Sequence, residues 1–119
     1  MKKRIASFKY ACKGVHRVAA SQVNFRIHLA AAAAAVFLGF YLRISRAEWT
    51  VVLLCFALVM SAEAFNSAIE KLVDHVSPEY HAQAGEVKDM AAGAVLISAA
   101  LAAVIGCIIF LPGLAARLG

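Results

Sequence analysis

Residues 90–111, MAAGAVLISAALAAVIGCIIFL, run for 22 positions without a charged side chain and stop at Pro112. A helix needs roughly 20 such residues to cross a hydrocarbon core of about 30 Å. Upstream, the 21 residues from Trp49 to Ile69 form a second stretch of that kind, in which Glu63 is the only charged side chain. A third apolar run, Ile27 to Leu42, has 16 residues and covers about 24 Å at 1.5 Å per residue. Arg26 and Arg43 at its ends can snorkel, which allows a tilted or thinned crossing. The chain therefore reads as an all-α membrane protein with spans at 27–42, 49–69 and 90–111, the last closed by Pro112.

Composition agrees. Of 119 residues, 63% are hydrophobic and 16% charged, where a soluble domain is about half apolar and a quarter charged. Disorder is excluded by the abundance of apolar surface, and the length leaves room for a single domain, 1–119. Two prolines and seven glycines argue against a turn-rich β fold. Three cysteines with no CxxC pair build neither a disulfide framework nor a zinc site, and each sits among apolar neighbours as a packing residue. The mostly polar or amphipathic stretch ahead of the first run fits a cleaved signal peptide poorly.

The net charge of +5 has a membrane explanation and needs no nucleic acid. Lys2, Lys3, Arg4, Lys9, Lys13, Arg17 and Arg26 lie in the first 26 residues, which hold no acidic group. Ile5, Phe8, Cys12, Val15 and Ala19 recur at helical spacing, so residues 1–23 read as an amphipathic helix in the interface, cations toward anionic headgroups. Lys71 and Lys88 add positive charge to the 71–89 loop. By the positive-inside rule the N-terminus and this loop are cytoplasmic and the C-terminus is outside. Within that loop, Ser77-Pro78 predicts an N-cap and first helical residue, hence a short helix from Pro78 toward Lys88.

The second span carries the chemistry. From the direction of Glu63, the residues Asn66, Ser67, Glu70 and Asp74 fall about 60°, 40°, 20° and 20° away on a helical wheel. One face thus holds three carboxylates, an amide and a hydroxyl, descending toward the cytoplasm. A carboxylate at the depth of Glu63 costs on the order of 3 kcal/mol and demands a partner or a function. It can be protonated and hydrogen-bond a neighbouring helix, or it can be a base. Glu70 lies about two turns, roughly 10 Å, beyond it, leaving room for a bound group between a base and a metal-binding carboxylate. Lys88-Asp89 stands where the third span enters the membrane. A lysine near carboxylates and a divalent ion is what a polyphosphate requires, although a Lys-Asp pair alone is an ordinary solvated helix end. No P-loop, Rossmann, HExxH or GxSxG signature is present. His16, His28, His75 and His81 show no ligand spacing and read as interfacial or hydrogen-bonding residues.

Taken together, Glu63-x-x-Asn66-Ser67-Ala68-Ile69-Glu70, Asp74, Glu79-Tyr80-His81 and Lys88-Asp89-Met90-Ala91-Ala92-Gly93-Ala94-Val95-Leu96 closely resemble the prokaryotic diacylglycerol kinase family, which includes the undecaprenol kinases. Asn24-Phe25-Arg26-Ile27-His28 looks more like the undecaprenol kinase branch. The resemblance runs from Phe8 through the third span.

It implies a multi-pass kinase of the bacterial cytoplasmic (inner) membrane, assembled as a homotrimer with sites between subunits. Such an enzyme transfers the γ-phosphate of ATP to a lipid alcohol (diacylglycerol or undecaprenol) with magnesium. By position, Glu63 would be the catalytic base and Asn66 would help hold the reacting groups. Lys3, Tyr10, Glu70, Glu79, Tyr80, His81, Lys88 and Asp89 would contact ATP. Glu70 and Gln22 would face the metal, and Glu63, Arg26 and Trp49 the lipid. Lys3 stands where the family often has arginine, losing bidentate geometry. Gln22 stands where the family has a second metal-binding glutamate; an amide oxygen can ligate magnesium but brings no negative charge. The alternative from another class is a non-catalytic membrane subunit using Glu63 as a proton or ion site.

Overall fold

The computed structural model describes residues 1–119 and contains four helices: α1 (Lys2–Ser21), α2 (Val23–Leu42), α3 (Arg46–Val76) and α4 (Ala82–Leu118). There is no strand. Of 99 backbone hydrogen bonds, 90 lie within helices, which satisfies the backbone as a lipid-immersed chain requires. The helices α2, α3 and α4 are each long and apolar enough to cross a membrane. The protein is a multi-pass membrane protein.

Helix α2 begins directly after Gln22, whose extended backbone (φ −109°, ψ 114°) is the one-residue joint to α1. The first span is therefore longer than the 27–42 expectation, and its 20 residues reach about 30 Å without thinning. Arg26 is tied to the end of α1. Its Nη1 donates to the carbonyls of Ala19 (3.3 Å) and Ala20 (2.8 Å), covering the exposed C-terminal carbonyls of α1. The apolar stripe of α1, including Ile5, Phe8 and Val15, is uncovered within the protomer, as a helix lying in an interface requires.

The turn from α2 to α3 is tightly specified. Arg43 adopts the left-handed conformation (φ 54°, ψ 53°). Its N–H donates to the Phe40 carbonyl, and that of Ile44 to the Gly39 carbonyl, a Schellman closure. Ser45 then caps α3 in a reciprocal box: Glu48 N–H donates to Ser45 Oγ at 3.1 Å, and Ser45 N–H to Glu48 Oε1 at 2.9 Å. Trp49 lies against Phe40 with ring centroids 4.9 Å apart.

Helix α3 is the centre of the molecule. Val52, Val59, Glu63 and Ser67 are its buried residues, recurring at seven- and four-residue steps so that one face meets α2 and α4. The outward side chains Leu53, Leu54, Leu58, Leu96, Ile97 and Leu101 remain largely exposed. In water that surface would aggregate; in a bilayer it is solvated by lipid or by another copy.

Two expected boundaries are corrected. No separate helix starts at Pro78. The segment Ser77–His81 is irregular, Ser77 Oγ donates to the Glu79 carbonyl, and His81 is the real N-cap, its Nδ1 accepting from Gln83 N–H. From there α4 continues without interruption into the third span. Nor does Pro112 end that span, because α4 runs through it to Leu118. One missing N–H is tolerated in a membrane helix whose neighbours hold its direction. Here Arg117 lies 4.6 Å over the Tyr41 ring, and Gly113 faces Leu42.

Candidate functional site

The polar face of α3 begins at Glu63, 2% exposed. It forms no hydrogen bond with its own helix, and its polar partner comes from α2: His28 Nε2 lies 3.3 Å from Glu63 Oε1. Towards the C-terminal end of α3, Asn66 Nδ2 donates to Glu70 Oε1 at 3.3 Å, an i,i+4 contact that orients both side chains. Asn66 Oδ1 and Ser67 Oγ are buried without a partner. Such orphaned acceptors cost about 1–3 kcal/mol each and call for a ligand, ion or water.

One further turn along, Asp74 Oδ1 meets Lys88 Nζ of α4 at 2.5 Å. That hydrogen bond raises the Lys88 pKa above 10.5, and the charges of Asp74 and Glu70 act in the same direction, outweighing desolvation. The ammonium therefore stays charged at neutral pH. Asp74 and Lys88 share a cleft of about 110 Å³ with Ser77, Glu79, Tyr80 and His81. Four of the residues expected to contact ATP thus converge in one place. Asp89 is exposed beside it and does not line the cleft.

Below Glu63, α2, α3 and α4 enclose a cavity of about 310 Å³ lined by small and apolar side chains such as Ala31, Ala35, Val59, Ala99 and Phe110. His28 is its one polar side chain. His28, which lies against Glu63, lines this cavity, whereas Glu63 itself does not.

Other expected site residues lie apart. Lys3 and Tyr10 are exposed on α1, where Tyr10 is covered by Lys13, 5.5 Å from its ring centroid. Helix α1 packs on α2 and α3 but does not reach α4, so one chain does not join these residues to Lys88. Gln22 is half-buried at the α1–α2 joint, and no side-chain contact links it to Glu70. Arg26 is occupied by the α1 carbonyls. Trp49 is 14 residues from Glu63, roughly 21 Å along α3, and packs on Phe40 at the α2–α3 turn.

The donors suit a hard cation in part. Glu70 keeps one carboxylate oxygen free of hydrogen bonds, and the unpartnered Asn66 Oδ1 lies one turn away. No three acidic, imidazole or thiol groups converge, so any ion held here takes its remaining oxygens from phosphate or water.

A family model described as prokaryotic diacylglycerol kinase matches residues 9–110. The chain belongs to that family. It is 40% identical over 108 residues to an undecaprenol kinase of Bacillus subtilis, covering 91% of this chain and 88% of that one. It is 34% identical over 100 residues to a diacylglycerol kinase of Escherichia coli K12, covering 84% and 82%. A diacylglycerol kinase of Haemophilus influenzae is 30% identical over 107 residues, covering 89% and 91%. Within this family member, His28 is the site residue that the sequence left unassigned. Its only local signal is its place in Asn24-Phe25-Arg26-Ile27-His28, since its partner is 35 positions away.

Proposed function

We propose that this protein is an ATP-dependent lipid kinase of the bacterial inner membrane, with its N-terminus and α3–α4 connection in the cytoplasm. The observation that carries the reading is the continuous polar line on α3. It joins a buried carboxylate at the head of an apolar cavity to a lysine-bearing cleft at the aqueous end. A lipid alcohol has its hydroxyl and its hydrocarbon in two such environments, and ATP belongs in the third.

In this reading the lipid hydroxyl lies against Glu63, with its chain toward the cavity. Glu63 takes the hydroxyl proton as the oxygen forms its bond to the γ-phosphorus. The bond from the γ-phosphorus to the bridging oxygen breaks, and ADP leaves with that electron pair. Glu70 and Asn66 would hold magnesium, which when bound neutralises phosphate charge. Lys88 supplies a fixed positive charge to the phosphates, and Glu79, Tyr80 and His81 border the nucleotide. Such a transfer asks for positioning and charge neutralisation more than for covalent chemistry, which suits a scaffold this small. Because α1 does not reach α4, Lys3 and Tyr10 would complete the site of a neighbouring copy in a homotrimer. Radiolabelled phosphate transfer from ATP to a panel of lipid alcohols in detergent tests the reading. Labelled lipid in the presence of magnesium is expected, and its absence for every alcohol would favour a non-catalytic membrane subunit.

A further inference from the structure

Glu63 is almost fully buried, and its one polar neighbour within reach is an imidazole from another helix. That imidazole is about a quarter exposed, whereas the carboxylate is 3% exposed, so His28 stands between Glu63 and the cavity mouth. Its placement is fixed by packing. Phe25, one turn earlier on α2, is buried, and the Arg26 contacts anchor the same turn to α1. Lysine or arginine here would bring a permanent charge to this depth, at a cost of several kcal/mol. Imidazole can offer an N–H while neutral.

We propose that His28 is the positioning residue of Glu63. By presenting Nε2 to Oε1, it holds the carboxylate in one rotamer and leaves Oε2 for the lipid hydroxyl. This rests on the reading of Glu63 as the base. The two atoms lie 3.3 Å apart without the alignment of a hydrogen bond, and such contacts commonly tighten and align when substrate arrives. Without the imidazole, the carboxylate is free to turn into the cavity, away from the phosphate. A misplacement of about 1 Å can cost roughly 10²-fold in rate.

The test uses the full-length protein in detergent micelles with ATP, magnesium and the lipid alcohol that the native protein phosphorylates best. His28→Leu should lower kcat by about 10²-fold while the KM for ATP stays within about twofold. His28→Gln, whose amide N–H can reach the same oxygen, should recover most of the loss. A His28→Leu variant with native kcat, or leucine and glutamine variants equally impaired, would overturn the proposal. A second measurement reads the pairing without catalysis. Thermal midpoints of His28→Leu, Glu63→Gln and the double variant should be non-additive, the leucine costing less once the carboxylate is gone. Strictly additive shifts would show that the two side chains do not interact and would also overturn it. Phosphate transfer by the native protein tests the kinase reading separately, so failure of one is not mistaken for failure of the other.

Discussion

Lys88 and Asp74 meet across the α3–α4 connection with Nζ and Oδ1 2.5 Å apart. This pair ties the aqueous end of the polar line on α3 to the first turns of α4. It leaves a cation charged and held at the edge of the cleft that Glu79, Tyr80 and His81 border. A lysine free to swing would lose side-chain entropy on meeting a phosphate; one already held by Asp74 loses less.

Replacing Lys88 by Met should therefore weaken ATP use chiefly in KM, by about tenfold or more, with the KM for lipid little changed. The raised pKa of Lys88 sets the pH behaviour. A cation whose folded pKa lies above its unfolded value stabilises the fold at all pH below the unfolded value. That contribution is lost only as pH rises through the folded value. Since both lie at or above 10.5, the difference in thermal midpoint between native and Lys88→Met protein should be constant from pH 7 to 9. A difference that shrinks across that window would mean that Lys88 loses its proton there and that its pKa is not raised.

Glu63→Gln should abolish transfer, with a loss of at least about 10²-fold in kcat. The amide keeps the shape of the carboxylate but cannot take the hydroxyl proton. ATP affinity should hardly change, because Glu63 lies two turns from Glu70 on the membrane side. Kinetics with a folded-state control such as circular dichroism decide the matter, and substantial residual turnover would remove Glu63 from the base role.

The α2–α3 turn makes a stability prediction remote from the chemistry. A Cβ on Gly39 would lie 2.6 Å from Trp49 Cη2 and 2.7 Å from Cζ2, and an indole wedged against Phe40 has little room to move. Gly39→Ala should cost about 1–3 kcal/mol, and adding Trp49→Ala should remove most of the clash penalty. Arg43→Gly should stabilise, by about 0.5–1 kcal/mol, since it relieves the left-handed backbone. Thermal unfolding in detergent reads all of these, and an unperturbed Gly39→Ala protein would mean the turn is looser than this.

The spans and the polar line were legible because both depend on local periodicity. Twenty uncharged residues are long enough to cross a bilayer, and Glu63, Glu70 and Asp74 share a face by helical geometry alone. The capping box of Ser45 and Glu48 starts α3 at Arg46, three residues before the Trp49 at which the sequence reading opens the span. The start of α4 was not legible from Ser77-Pro78, because Ser77 hydrogen-bonds within the connection while the His81 side chain reaches the free N–H of Gln83. Pro112 looked like a stop because proline ends helices in water, whereas in a membrane the alternative is an unsatisfied backbone. The contacts of Trp49 with Phe40 and of Arg26 with the α1 carbonyls form only on folding, and no local spacing encodes them. His28 was read as an interfacial or hydrogen-bonding residue without a named partner: its contact with Glu63 exists only once α2 packs on α3, and no spacing rule within either helix encodes it.

Gln22 stands where the resemblance to the family leads one to expect a second metal-binding glutamate. It sits at the joint between α1 and α2, half-buried, with no side-chain hydrogen bond to commit it elsewhere. If it faces the ion held by Glu70, the native protein offers that ion one carboxylate and an amide in place of two carboxylates. Magnesium is bound chiefly by carboxylate and phosphate oxygens, so one fewer negative ligand weakens the site. ATP brings its own phosphates, and the unpartnered Asn66 Oδ1 offers a further oxygen, so activity should persist in the native protein at raised magnesium. Gln22→Glu should then reach half-maximal activity at a magnesium concentration several-fold lower, a shift of about 1 kcal/mol corresponding to roughly fivefold in affinity. A magnesium titration of both proteins at fixed ATP measures this, and superimposable curves would show that position 22 does not face the metal.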